Sequence, residues 1–137
     1  MIDIEKSVGF LLAKAYQRAC AIFKEEFDNY DLTPQQFGLL AFLWDEDGLS
    51  QTELAAKSQI DRTTMGGLVD RLEKEELVKR IPHPDDRRAY QVFLTARGKA
   101  LEDELCPLAV RAQARVNAPL TAEEQATLVR LLGKIRH

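Results

Sequence analysis

Apolar residues recur at intervals of three and four along most of the chain, which is the spacing of one face of an α-helix. Residues 5–28 form the first such stretch and predict a long helix. Thr33-Pro34-Gln35-Gln36 combines a capping threonine, a proline at the first helical position and a glutamine three residues on, and predicts a second helix to Trp44. Ser50-Gln51-Thr52-Glu53 repeats this capping arrangement and predicts a short third helix.

A fourth helix is predicted after the capping residue Asp61, with Met65, Leu68, Val69 and Leu72 facing inward. The outer face and its flanks carry Arg62, Thr63, Thr64, Gly67, Asp70, Arg71 and Lys74. This outer face is the part of the helix that a partner would meet.

From Leu77 the apolar period changes to two, which predicts two strands around a charged tip at residues 82–88. Thr95 then caps a fifth helix, in which Pro107 should introduce a kink, and Thr121 caps a sixth. Two helices joined by a short turn and followed directly by a hairpin predict a winged helix-turn-helix, whose second helix can enter the major groove of DNA.

Several segments then resemble the MarR family of bacterial transcriptional regulators. They are Leu32-Thr33-Pro34-Gln35-Gln36-Phe37 leading to Leu43-Trp44, Leu49-Ser50-Gln51-Thr52-Glu53-Leu54-Ala55, Leu68-Val69-Asp70-Arg71-Leu72-Glu73, Val78-Lys79-Arg80, and Asp85-Asp86-Arg87-Arg88 with Val92-Phe93-Leu94-Thr95. The resemblance implies a repressor that binds double-stranded DNA as a homodimer and is often released by a small aromatic or phenolic compound. It also implies that Asp86 organises the wing and that Arg88 enters the minor groove.

The implied fold class is mainly α, with a two-stranded wing and long terminal helices that form a dimerisation region. We expect a single domain over residues 1–137, with dimerisation helices at 1–30 and 100–137 and the winged helix-turn-helix at 33–95. Apolar residues at both ends of the chain exceed what so small a fold buries alone, which also favours two-fold pairing. Such pairing predicts an inverted-repeat operator.

The candidate DNA contacts lie at the starts of the third and fourth helices and on the wing. They are Ser50, Gln51, Thr52, Arg62, Thr63, Thr64, Arg71, Lys79, Asp86, Arg87 and Arg88. Capping alone also explains Ser50. Gly66 and Gly67 each cost a helix interior about 1 kcal/mol relative to alanine, which indicates a close backbone approach to DNA or to the third helix.

Charge supports a DNA partner locally although the 137-residue chain carries a formal charge of −3. Residues 79–99 hold six Lys and Arg against two Asp, an excess of four positive charges where a wing would meet phosphates. A solvated hairpin tip, or a winged helix used only for protein contacts, would also fit this run.

Other classes of function lack the residues they need. His83 lies between two prolines, and His137 is the last residue given, so neither provides the partnered setting of a general base, and we expect no enzyme. Two cysteines and two histidines do not make a four-ligand zinc site, and we expect neither metal nor cofactor. The acidic N-terminus and short apolar runs predict a cytoplasmic protein without a membrane helix.

Two regulatory alternatives remain. A pocket implied by the resemblance, between dimer helices and winged helix, would be lined by Phe10, Lys14, Phe37 and Trp44, although each also fits an ordinary core or surface position. The alternative is a thiol-based redox sensor at Cys20, whose apolar neighbours favour a packed cysteine instead.

Overall fold

The computed structural model describes residues 1–136; the side chain of Arg87 and all of His137 lie outside that description. Within it, a 3-10 helix (Ile4–Lys6) precedes α1 (Val8–Glu26), α2 (Pro34–Asp45), α3 (Gln51–Ser58), α4 (Arg62–Lys74), β1 (Val78–His83), β2 (Asp86–Leu94), α5 (Ala96–Asn117) and α6 (Ala122–Ile135). The strands pair antiparallel. The predicted fold class, mainly α with a two-stranded wing, is confirmed.

The helix starts follow the predicted caps. Thr33 accepts a hydrogen bond from the Gln36 N–H at 3.2 Å, and the Gln36 side chain accepts one from the Thr33 N–H at 2.9 Å. The same reciprocal pairs open α3 and α6. These bonds satisfy backbone donors that a helix start otherwise leaves open, which is why the sequence pattern locates the starts so closely.

The hairpin differs from its prediction at the tip. Both strands extend further than the apolar alternation indicates, so only Pro84 and Asp85 lie between them. The pairing register shifts between Pro82 and His83 and continues with His83 opposite Asp86. Proline normally marks the end of a strand, which explains why the sequence predicts a wider tip.

The chain divides into two compact units, which we describe separately. The central unit is Asn29–Cys106, and the terminal unit joins Met1–Asp28 to the chain from Pro107 onward. Helix α5 is continuous across this boundary, and the kink at Pro107 stays a prediction.

The core of the central unit joins all of its elements. The predicted inward residues of α4 are buried, together with apolar side chains from the neighbouring helices and strands: Leu39, Leu40, Leu43, Leu54, Met65, Leu68, Val69, Leu72, Leu77, Val78, Val92 and Leu105. Three residues connect α3 to α4, as a helix-turn-helix requires.

The loop between α2 and α3 holds the second edge of β2. The Val92 N–H donates to the Leu49 carbonyl at 2.9 Å, and the Gly48 N–H donates to the Val92 carbonyl at 3.1 Å. Gly48 has a φ of 80°, and a Cβ there would lie 2.7 Å from the Phe93 ring. Only glycine fits this position without strain. The two hydrogen bonds at Val92 give this end of β2 a partner on its second edge.

The terminal unit leaves much apolar surface open. Ion pairs join α1 to α5, from Arg111 to Glu26 at 3.0 Å and from Arg115 to Glu25 at 2.6 Å. More than a third of the surface remains exposed on each of Ile2, Ile4, Val110, Val116, Leu128, Leu131, Leu132 and Ile135. Among the described helices none is both long and apolar enough to cross a membrane.

We predict that Glu76→Gly stabilises the protein. Glu76, between α4 and β1, has a left-handed φ of 63°, which costs a side-chain-bearing residue about 1 kcal/mol or more. Urea titration should show a free energy of unfolding about 0.5 to 1 kcal/mol higher. The control Glu75→Gly, at a φ of −82°, should lower it, and equal destabilisation by both variants would contradict the prediction.

Candidate nucleic-acid interface

The first turn of α4 presents polar side chains from a capped helix start. The Asp61 carboxylate accepts from the Thr64 N–H at 2.8 Å and from the Thr64 hydroxyl at 2.9 Å. These two hydrogen bonds lower the pKa of Asp61. Arg62 and Thr63 are exposed, and nothing in residues 1–136 binds the Arg62 guanidinium. A free cation and a free hydroxyl therefore stand at the positive end of a helix dipole, a favourable place for phosphate or base edges.

Arg80 of β1 joins the wing to both helices of the helix-turn-helix. Its Nε donates to the Gln51 side-chain oxygen at 2.6 Å, and its Nη2 donates to the Gly66 carbonyl at 2.9 Å. Its Nη1 contacts the carboxylates of Asp70 and Glu73. The Glu73 carboxylate also accepts from the Arg80 backbone N–H at 3.0 Å. The side chain of Arg80 is only 17% exposed, so this network is largely internal.

This network corrects part of the sequence-based charge count. Arg80 was included among the cations facing phosphates, but its charge is neutralised by two carboxylates of α4. The Arg97 guanidinium also has an internal partner, the Glu75 carbonyl at 3.2 Å. The positive charge available to a polyanion is therefore smaller and more localised than the count indicated.

The predicted contacts on α3 differ in how available they are. Ser50 is buried, and its hydroxyl accepts from the Glu53 N–H at 3.0 Å, so it serves as the cap of α3. The side-chain oxygen of Gln51 is held by Arg80, which leaves its NH₂ group to donate elsewhere. Thr52 is exposed, as are Arg71 on α4 and Lys79 on β1.

The wing tip is ordered by a carboxylate that binds backbone. Asp86 accepts from the Arg88 N–H at 2.9 Å, and in the described part of the chain the Arg88 guanidinium is exposed without an ion-pair partner. Asp86 thus fixes the backbone beneath Arg88 rather than neutralising it. The side chain of Arg87, also a predicted contact, lies outside the described atoms.

The predicted effector residues fall into one pair in each unit. In the terminal unit Lys14 Nζ lies 5.5 Å from the centre of the Phe10 ring. In the central unit Phe37 and Trp44 make an edge-to-face contact with ring centres 5.7 Å apart. The Trp44 indole N–H donates to the Gly98 carbonyl at 2.9 Å. Sequence reasoning did not locate a cavity of about 580 Å³ in the central unit, lined among others by Tyr30, Leu77, Arg97 and Leu101.

The two cysteines have different surroundings. Cys20 is half-buried rather than fully packed, and its hydrogen bond with Tyr16 raises the pKa of that phenol. Burial, with Glu102 and Asp103 nearby, raises the pKa of Cys106. Over residues 1–136, no group of three or more His, Cys, Asp or Glu side chains is arranged to hold a metal ion.

The comparisons with known proteins agree with this geometry. A sequence model of the MarR family matches residues 32–90, from the start of α2 through most of the wing. The HTH-type transcriptional repressor NicR of Pseudomonas putida is 40% identical over 133 residues, which cover 97% of this chain and 84% of NicR. This chain belongs to the MarR family. It is therefore a DNA-binding transcriptional regulator, and the family is one of regulators rather than enzymes.

Two solved structures show the same fold over nearly the whole chain. A probable transcriptional regulator from Pseudomonas aeruginosa is 33% identical with a TM-score of 0.92, covering 97% of this chain and 99% of its own. Bordetella bronchiseptica BpsR, whose DNA binding is regulated by 6-hydroxynicotinic acid, is also 33% identical with a TM-score of 0.92, covering 98% of this chain and 96% of its own. This MarR family member therefore has the fold of regulators whose structures are known.

We predict that Arg80→Lys destabilises the central unit. A lysine can reach one carboxylate but cannot bond Gln51 and the Gly66 carbonyl at the same time, because it lacks the planar fork of the guanidinium. The free energy of unfolding should fall by about 1 to 2 kcal/mol in urea titration. Lys79→Ala, at the exposed neighbouring position, should change it by less than about 0.5 kcal/mol. Equal stabilities of the two variants would show that the Arg80 network contributes nothing.

Proposed function

We propose that this protein is a homodimeric repressor that binds an inverted-repeat operator and is released by a small aromatic hydroxy or carboxylate compound. In this proposal α4 enters the major groove and the β1–β2 wing lies over the adjacent minor groove. The observation that carries it is the pair of unpartnered guanidiniums, Arg62 at the start of α4 and Arg88 at the wing tip. Arg80 bonds α4, which carries Arg62, from β1, the strand that pairs with the Arg88-bearing β2.

The roles of the candidate contacts follow from their positions. Arg62, Thr63 and the NH₂ group of Gln51 would meet base edges or phosphates, and the Thr64 hydroxyl would support the cap. Lys79 and Arg71 are exposed cations suited to phosphates, and Thr52 is an exposed hydroxyl at the start of α3. A phosphate contact raises affinity for every sequence, whereas a base contact raises it for one.

Homodimerisation would cover the apolar surface of the terminal unit. Four exposed leucine and isoleucine residues of α6 have the three- and four-residue spacing of a helix-packing stripe. They are Leu128, Leu131, Leu132 and Ile135. A two-fold symmetric dimer would carry two copies of α4, and its symmetry would match that of an inverted repeat in DNA. The proposed operator is therefore an inverted repeat.

The proposed effector class draws on chemistry seen in a relative. BpsR is regulated by 6-hydroxynicotinic acid, which carries a hydroxyl and a carboxylate on one aromatic ring. In the terminal unit Lys14 could pair with such a carboxylate and Phe10 could contact the ring. In the central unit Phe37 and Trp44 are further candidates for contact with a ring. A ligand acts on DNA binding only if it prefers the DNA-free arrangement, and a tenfold release requires about 1.4 kcal/mol of such preference.

We predict that Arg88→Ala weakens operator binding at least tenfold without loss of stability. Its guanidinium has no partner in the described chain, so folding loses little, whereas DNA binding loses a contact. Duplexes selected from a random library by the unaltered protein provide the operator, and fluorescence anisotropy at several salt concentrations measures affinity.

Lys79→Ala is the matched comparison for Arg88→Ala. As a phosphate contact it should weaken selected and random duplexes alike and flatten the dependence of affinity on salt. If Arg88→Ala stays within about twofold of the parent on the selected duplex, the wing has no role in binding. If the parent protein selects no sequence at all, the proposed repressor function fails.

We predict that aromatic hydroxy acids, not oxidation, release the DNA. A panel of benzoates, phenols and hydroxynicotinates is titrated into the protein–operator complex, in parallel with an organic peroxide. Lys14→Met should weaken the response to carboxylates, and Cys20→Ser should leave it unchanged. Release by peroxide that disappears in Cys20→Ser, without a response to any aromatic compound, would instead establish the thiol-based alternative.

A further inference from the structure

Helix α4 contains two adjacent glycines whose surroundings differ. The Gly66 carbonyl is bonded to Arg80, and a Cβ on Gly66 would lie 3.8 Å from the Gln51 side chain. Gly67 is exposed, and a Cβ there would meet no described atom within 4 Å. Neither glycine has a positive φ. Within residues 1–136, neither backbone conformation nor packing therefore requires a glycine at position 67, although a glycine weakens a helix interior.

The face around Gly67 is the one that would meet DNA. Thr63 lies one helical turn earlier on the same exposed face. Because Gly67 lies inside α4, its N–H and C=O belong to the helical hydrogen-bond ladder. Position 67 consequently presents only a CαH₂ group, which can make van der Waals contact but no hydrogen bond.

Among the base edges of the major groove, one group suits such a surface. The nitrogen and oxygen atoms of the bases require hydrogen-bond partners, and an approaching CH₂ group would desolvate them without replacing those bonds. The C5 methyl group of thymine is apolar and projects into the groove. The backbone at Gly67 can contact this methyl group directly, because no side chain lies between them.

We propose that Gly67 is a specificity-determining residue that accommodates the methyl group of a thymine against the backbone of α4. The proposal rests on the DNA-binding role proposed above. Arg80 contributes to it, because its bond to the Gly66 carbonyl holds this part of α4 from the side of β1. Because α4 is held in this way, it cannot shift away from the DNA to make room for an added Cβ. A single methyl group at position 67 therefore displaces the DNA.

The first test separates stability from binding. Gly67→Ala is compared with Gly38→Ala, since Gly38 is also inside a helix, has no positive φ and has no described atom within 4 Å of its Cβ position. Both variants should raise the melting temperature by about 3 to 5 °C. Gly67→Ala alone should bind the selected operator at least about tenfold more weakly, while its binding to random duplex changes less than about threefold.

The second test replaces the operator thymines, one at a time, by deoxyuridine, which lacks the methyl group. At one position in each half-site, the unaltered protein should bind the deoxyuridine duplex about threefold or more weakly than the thymine duplex. Gly67→Ala should instead bind the deoxyuridine duplex more tightly than the thymine duplex. This crossed response identifies the thymine that Gly67 contacts.

Several outcomes would overturn the proposal. They are unchanged operator binding by Gly67→Ala, an equal loss in Gly38→Ala, a fall in melting temperature of Gly67→Ala, and the absence of any thymine with the crossed response. These outcomes are distinct from failure of the proposed function, in which the unaltered protein itself selects no operator.

Discussion

The arrangement of α3, α4 and the wing depends on one guanidinium, that of Arg80. Arg80 bonds α3 through Gln51 and α4 through the Gly66 carbonyl, while its own backbone belongs to β1. Its ion pair with Asp70 contributes little by Coulomb energy, because the Asp70 carboxylate is 68% exposed and water screens it. The network matters more through its less exposed hydrogen bonds, because the planar fork of arginine lets one side chain on β1 bond two helices at once. The wing and α4 are thereby held relative to each other by direct hydrogen bonds in addition to apolar packing.

The wing is also held from its other edge. The loop of Gly48 and Leu49 pairs with Val92, and the Asp47 carboxylate accepts from the Leu94 N–H at 2.8 Å. A hairpin bonded on one edge only would leave β2 with open backbone groups and freedom to twist. With both edges hydrogen-bonded around Val92 and Leu94, this end of β2 is fixed against the loop that precedes α3.

Sequence reasoning succeeded where the determining interactions are local. The caps of α2, α3, α4 and α6 involve residues three apart, and the inward stripe of α4 follows from a period of 3.6 residues, so a short window of sequence contains all the information. The charge of Arg80 was misjudged because its partners are 7 to 29 residues away and are brought to it by the tertiary fold. Gln51 illustrates the same limit, since its position at a helix start favours a DNA contact while its oxygen is used internally. The proposed dimer contacts would involve a second copy of the chain, and no pattern within one chain specifies which residues of the two copies meet.

The distribution of acidic residues explains how a chain with a net charge of −3 has a surface suited to DNA. Several carboxylates are paired within the fold, in the central unit at Asp70 and Glu73 and in the terminal unit at Glu25 and Glu26. Their partners are arginines that consequently offer no charge to a polyanion, so the cations left unpartnered on α4 and the wing determine the local potential. Counterion release and steering depend on charges within about a Debye length of the phosphates, about 8 Å at physiological salt. Under the proposed function, binding to DNA depends on which arginines the fold leaves unpaired more than on the overall charge of the chain.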